Sequence, residues 1–442
     1  MGPRMTIDEI DIRGRQICAV QQGHAAEKRG ICVHRAYPQA PARNMSRPAT
    51  GIDSARWTGA LTLLATMAIV SAAVRAEESP WLLGDWAGQR TALADKGVEF
   101  EMVLTLEGVQ NVRGGMARSS RGLLNLDLIM DARGEALGLS DQGDLHVYLL
   151  GNAGGTPTEM IGDLQTTSNI EAPNTFKVYE LWWQQRHAGG SLAWLVGLHD
   201  YNATFDALES AGLFTNSSFG ISPANSQVPP AIFPTTSLAV VASLWPGERC
   251  YLHAGVYDGI PGDPGDDKGT HVILDRDDGI FYALEGGLQN EETGRKLALG
   301  GWYRSTDFAD DFSGASHGSN DGYYLIGETN LSEHWAGFFQ LGQADKNRNQ
   351  VGFYAGAGVT YASLFGEDDT FGLGVAHARN TNSYRTAVPG ADRYEMVYEC
   401  TYAFHPVGWL TIQPDLQFIQ NPGMDPTLND AVVLSLRAYI AF

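Results

Sequence analysis

Much that would mark a metalloenzyme, a disulfide-built domain or a nucleic-acid binder is missing from this chain. Its 442 residues hold four cysteines, at 18, 32, 250 and 400, too few and too far apart for a Cys-x-x-Cys pair or a disulfide framework. The eleven histidines are scattered, His253 and His377 stand singly, and His-Glu-x-x-His is absent, so no metal or other cofactor is expected. Basic side chains are scarce, 30 Lys and Arg against 51 Asp and Glu for a net charge of −21. That balance disfavours nucleic acid as a partner.

One long apolar run exists, Trp57 to Val74, "WTGALTLLATMAIVSAAV". Arg47 and Arg56 precede it, and Val74-Arg75-Ala76 places small residues at the −3 and −1 positions of a cut after Ala76. This is the layout of a secretory signal peptide over 45–76. An anchoring helix is the competing reading, but the run is short and broken by Thr and Ser. Residues 1–44 lie before Met45, where such a signal normally starts, and are read as a mis-assigned or disordered extension. Removing 1–76 leaves 20 basic and 46 acidic side chains, a net of −26. An exported, acidic chain with 52 glycines and 10% aromatics is either soluble and secreted or a barrel of an outer membrane.

Periodicity favours the barrel. After a brief helical signal over 77–97, with Asp85 as N-cap and Gly97 as stop, the period changes to two. Val98, Phe100, Met102, Leu104 and Leu106 alternate with Glu99, Glu101, Val103, Thr105 and Glu107. Ten residues with one apolar and one charged face suit a strand between lipid and water. The pattern recurs about sixteen times, with starts near 98, 122, 144, 176, 191, 236, 249, 279, 295, 321, 334, 350, 370, 393, 408 and 431. The expectation is an all-β, transmembrane antiparallel barrel over 98–442 of about 16 strands. Trp and Tyr gather toward strand ends, as in "ELWWQQ" and "LGGWYRS", where an interfacial girdle needs them. The last strand, "AVVLSLRAYIAF", puts Leu434, Leu436, Ile440 and Phe442 on one face and Ser435, Arg437 and Tyr439 on the other. Pairing with the first strand would leave it no free edge.

Parity assigns Glu107, Asp127, Glu180, Trp182, Arg186, Trp302, Arg304, Glu328, Glu399, Asp415 and Arg437 to the lumen, because a charge facing lipid costs a few kcal/mol. These are the candidate pore-lining residues. Arg186, Arg304 and Arg437 lead because cations are rare here, followed by Glu180 and Trp182. Each could equally brace the wall by pairing across strands. Two loop stretches, "IEAPN" (170–174) and "NSSFGISPANS" (216–226), are expected to fold inward and narrow the bore. Cys250 and Cys400 fall on distant strands and face lipid, so no disulfide joins them. The loop aspartates at 263, 266, 267, 275, 277 and 278 meet no calcium-loop spacing and read as solvated.

Several stretches then resemble the OprB-type carbohydrate-selective porin family: "LLGDWAGQRTALADKGVEF", "GLFTNSSFGISPA", "GVYDGIPG", and "YECTYAFHPVGWLTIQPDLQFIQNPG" with its closing "VLSLRAYIAF". They stand in the family's order and span the mature chain. Ala87 departs from the Gly the family often has there, and the residues before Met45 are unmatched. The resemblance implies a sixteen-stranded barrel in the outer membrane of a Gram-negative bacterium, passing glucose and other sugars by passive diffusion, with no catalysis. It also implies partners: carbohydrate solutes, outer-membrane lipid and lipopolysaccharide, the barrel-assembly machinery reading Phe442, and a homotrimer as one assembly. Competing readings are a general or cation-preferring channel and a structural or adhesive barrel.

Overall fold

The computed structural model describes residues 79–442 apart from Pro229, Asp311 and Glu367. The expectations for 1–44 and for the signal peptide therefore lie outside the described residues. Sixteen antiparallel strands close into one barrel, each paired with its neighbours in the chain and the first paired with the last. They are β1 Val98–Arg113, β2 Ser120–Arg133, β3 Gly143–Gly154, β4 Thr175–His187, β5 Leu192–His199, β6 Ser237–Gly247, β7 Cys250–Asp258 and β8 Ile280–Asn290. The second half is β9 Arg295–Arg304, β10 Asn320–Asn330, β11 Trp335–Ala344, β12 Val351–Ala362, β13 Thr370–Asn380, β14 Tyr394–Val407, β15 Leu410–Gln420 and β16 Ala431–Ala441. Every start lies within two residues of the one read from periodicity.

In β1 the odd residues Val103, Thr105, Glu107 and Val109 are buried, while Leu104 and Leu106 between them are partly exposed. The buried set faces inward and the other faces the hydrocarbon, since successive side chains of a strand point to opposite faces. Leu299, Tyr303, Tyr323, Trp335 and Tyr398 are among the large side chains left exposed outside. Cys250 and Cys400 are free thiols.

One strand breaks the alternation. In β4, Tyr148 pairs with Glu180 but Leu149 with Val178, so Tyr179 is the extra residue of a bulge. Strict parity puts Tyr179 outside with Leu181 and Trp183. The structure instead buries it in the lumen, its hydroxyl donating to Asp200.

Connections at one end of the barrel, the turn end, are mostly short, as at 248–249 and 408–409, and those at the other end include the long loops 155–174 and 200–236. The segment before β1 lies at the turn end: a 3-10 turn Trp86–Gly88 leads into helix α1, Gln89–Ala94. The N-cap of α1 is Gly88 and not Asp85; the Asp85 carboxylate reaches one turn further and accepts from Thr91 N at 2.8 Å. Gly97, at φ +82°, ends the segment in the left-handed region that favours glycine.

Candidate solute pathway

Two loops do not project away from the barrel. Residues 155–174, between β3 and β4, and 200–236, between β5 and β6, have most of their side chains buried, including Ile161, Ile170, Phe205, Phe214, Phe219 and Ile221. Both stretches expected to fold inward, 170–174 and 216–226, belong to them. A loop placed there carries main-chain N–H and C=O groups that must find partners. Inward-facing side chains of the strands supply them.

Glu399 accepts from Thr215 N at 2.5 Å and Asn216 N at 3.1 Å. Glu395 accepts from Leu164 N and Gln165 N, both at 2.8 Å. Glu328 accepts from Glu209 N at 3.2 Å and Ser210 N at 2.7 Å. Glu285 accepts from Asp206 N at 3.0 Å and from the hydroxyls of Tyr251 and Tyr324. Where the loop presents a carbonyl, a donor stands opposite: Gln340 Nε2 to Phe219 O, Tyr354 OH to Ser218 O, Gln413 Nε2 to Leu213 O and Gln417 Nε2 to Thr167 O, at 2.7–2.8 Å. A carboxylate gripping two consecutive N–H groups makes charge-assisted bonds, stronger than neutral ones.

Space for the loops comes from inner-wall glycines. A Cβ on Gly342 would sit 2.6 Å from Ser222 Oγ, and one on Gly374 would sit 2.7 Å from the Phe219 ring. Phe214 and Phe219, with centroids 4.7 Å apart, fill that room together with Phe338 of β11.

Each candidate pore-lining residue can now be placed. Arg437 of β16 is 1% exposed; its Nη2 donates to Glu107 at 2.9 Å and to Ser168 Oγ at 3.3 Å, and its Nη1 donates to Tyr439. Asp127 is buried, accepting from Asn125 and from the Tyr148 hydroxyl. Trp302 is buried in a stack on Phe281, centroids 6.1 Å apart. Asp415 lies buried, accepting from Gln417. Glu107, Asp127, Trp302, Glu399, Asp415 and Arg437, expected at the surface of the bore, are therefore buried in its inner wall. For Glu107, Glu399 and Arg437 the cause is the inward loops, which rest on them, whereas Asp127, Trp302 and Asp415 are engaged by neighbouring wall side chains. Glu328 bears a loop too, although partly exposed.

Two positions, Arg186 and Trp182, stay nearer to water. Arg186 keeps 24% of its side chain exposed and pairs with Asp144 at 2.6 Å. Trp182 is partly exposed, stacked on His146 at 4.6 Å, and its Nε1 donates to the buried Glu180, which also accepts from Asp200 N. Arg304, 8% exposed, makes no hydrogen bond or ion pair among the described residues, and its Nε is buried without a partner. Of the three arginines favoured by sequence, Arg304 alone has no hydrogen-bond or ion-pair partner for its guanidinium among the described residues, Asp278 being the charge that acts on it from a distance.

Sequence reading passed over Glu285, Gln340, Gln413 and Gln417, although all four sit at the inward parity of their strands. It also passed over a Gly-x-Ser-x-Gly run, Gly314 to Gly318. Such a motif needs a strand-to-helix turn to present its serine. Here Ser316 and His317 form one side of a two-residue hairpin with Phe308–Ala309, so neighbouring Ser316 and His317 point to opposite faces. His317 is bound instead to Asp310 at 2.9 Å.

The inward loops carry acids of their own. Burial, with the Asp163 carboxylate beside it, pushes Glu171 up to about 8; burial raises Asp163 too and brings Asp206 to about 7. An acid raised by folding favours the inward seat while protonated. For Glu171 that contribution is full below its ordinary value of 4.5 and is lost as pH rises through about 8. Amides of 155–174 should exchange faster with deuterium at pH 9 than at pH 5 after correction for intrinsic rates, and Glu171→Gln should reduce the difference. Equal corrected rates at both pH values would contradict the assignment.

A family model described as "Carbohydrate-selective porin, OprB family" matches residues 121–442. Porin B of Pseudomonas aeruginosa is 25% identical over 449 residues, covering 88% of this chain and 98% of that protein. The high-pH structure of Pseudomonas putida OprB superposes with a TM-score of 0.74 at 21% identity, covering 84% of this chain and all of the other. The outer membrane channel DcaP of Acinetobacter baumannii gives 0.52 at 9% identity, covering 78% and 97%. These two structural likenesses support the closed barrel fold.

Proposed function

Because the chain belongs to the carbohydrate-selective porin, OprB family, and is thus a channel of a Gram-negative outer membrane and not an enzyme, we propose that it passes glucose-sized neutral sugars down their gradient and that Arg304 contacts them in transit. The observation that carries this reading is that the Arg304 guanidinium has no hydrogen-bond or ion-pair partner among the described residues, whereas Arg186 is paired with Asp144 and Arg437 with Glu107. A permeable site must replace hydration without holding the solute. A fork of N–H donors with no resident partner can do so for sugar hydroxyls. Trp182 adds a flat apolar face near the turn end, and the Arg186–Asp144 pair adds donors and acceptors beside it.

A cation-preferring channel is the second reading, motivated by the acidic excess. It is weakened because Glu107, Glu285, Glu395 and Glu399 are spent on the loops and on Arg437. On the same family footing, the outer surface meets lipid and lipopolysaccharide, Phe442 is offered to the barrel-assembly machinery, and three copies can associate.

The experiment is sugar-dependent block of single-channel current in planar bilayers. Glucose block should weaken in Arg304→Gln by roughly tenfold, the low end for loss of one charged hydrogen bond, at unchanged open conductance. Block identical to that of the native channel removes Arg304 from the pathway.

A further inference from the structure

The segment before β1 makes its longest-range contacts at one place, the seam where β1 meets β16. Leu82 N donates to Ala441 O at 2.8 Å. The Arg90 guanidinium lies between two indole faces, 4.1 Å from the Trp81 centroid and 4.3 Å from that of Trp86. Its Nη1 donates to Phe100 O at 3.1 Å, and its Nη2 donates to Phe442 O. Phe100 is in the first strand and Phe442 directly follows the last, so a single side chain bridges the two. Trp86 in turn packs on Phe100, with centroids 6.2 Å apart.

The seam differs from every other strand pair. All the others are joined by a turn or loop at one end, whereas β1 and β16 are joined by none, and their register from Val103↔Ala441 to Arg113↔Val432 unites the two extremes of the barrel sequence. No loop limits their separation, only backbone pairing and the Arg437–Glu107 ion pair, so opening there releases more chain entropy than opening a hairpin. We propose that Trp81 to Arg90 is a clasp that engages only after β16 has paired with β1, and that it supplies the connection the seam lacks. Neither strand alone presents both oxygens, so the clasp cannot form on an unclosed sheet. The planar fork of arginine reaches two acceptors at once, which a lysine ammonium on a flexible stem does poorly. The two indoles hold the fork in place by cation–π contact.

Deuterium exchange on the purified barrel in lipid vesicles tests this, comparing amides of 98–113 and 431–442 with those of the β8–β9 hairpin, 280–304. In Arg90→Ala the seam amides should exchange about tenfold faster, as for loss of a charge-assisted bridge, while the hairpin amides and the single-channel conductance stay as in the native protein. Arg90→Lys and the Trp81→Ala/Trp86→Ala pair should fall between. Seam exchange within twofold of native in Arg90→Ala, or an equal rise at the hairpin, overturns the clasp. Should Arg90→Ala yield no folded barrel, Arg90→Lys decides: unchanged seam exchange overturns the proposal and a selective rise supports it.

Discussion

Replacing Arg437 by alanine should destabilise the barrel by about 3–5 kcal/mol, the usual cost of stranding one partner of a buried ion pair. Arg437 and Glu107 are almost fully buried, 2.9 Å apart across the seam strands, and Ser168 of the first inward loop donates to the same Glu107 oxygen at 2.6 Å. Deleting the guanidinium leaves a carboxylate without its cation under the loop, where water cannot readily replace it. Urea unfolding in lipid vesicles, followed by the heat-dependent mobility shift of folded barrels, reads the loss. Removing the charge on both sides, as Arg437→Met with Glu107→Gln, should recover most of it, because the penalty belongs to the unpaired charge. A single variant as stable as the native barrel would show that the pair contributes nothing.

Arg437 also shows how far the sequence could be read. The alternation Ser435, Arg437, Tyr439 against Leu434, Leu436, Ile440 places the arginine inside, and inside is where it lies. Nothing in that alternation says that Ser168 will come to rest on its partner. The inward loops have no period of two to read, and their seats join residues far apart in the chain, such as Thr215 with Glu399 and Leu164 with Glu395. The polar residues of the wall were legible as lumen-facing but not as seats for loops, since a carboxylate that grips N–H groups and one that faces solute have the same parity. Tyr179 escaped for a different reason: a one-residue bulge reverses parity without any mark in composition. The clasp was half visible. The stretch 77–97 reads as a short helical element, but its target, the Phe442 main chain, is found only in the closed barrel.

The inward loop of 200–236 is placed to set the aperture while the strands supply its seat. A sixteen-stranded barrel is wide enough to leave an aqueous channel unless something fills it. Here Phe214, Phe219 and Ile221 lie inside, and the loop backbone is gripped at Thr215 by Glu399, at Ser218 by Tyr354 and at Phe219 by Gln340. The most direct measurement is liposome swelling with glucose and sucrose for the native protein, for a variant with 202–227 replaced by a short Gly–Ser linker, and for Glu399→Ala combined with Glu328→Ala, which keeps the loop but removes two of its grips. The native channel should admit glucose much faster than sucrose. The linker variant should admit both at nearly equal and several-fold higher rates, with the gripless variant between the two. If glucose and sucrose keep their native rates after the loop is removed from a folded barrel, the bore is set elsewhere and the account is wrong.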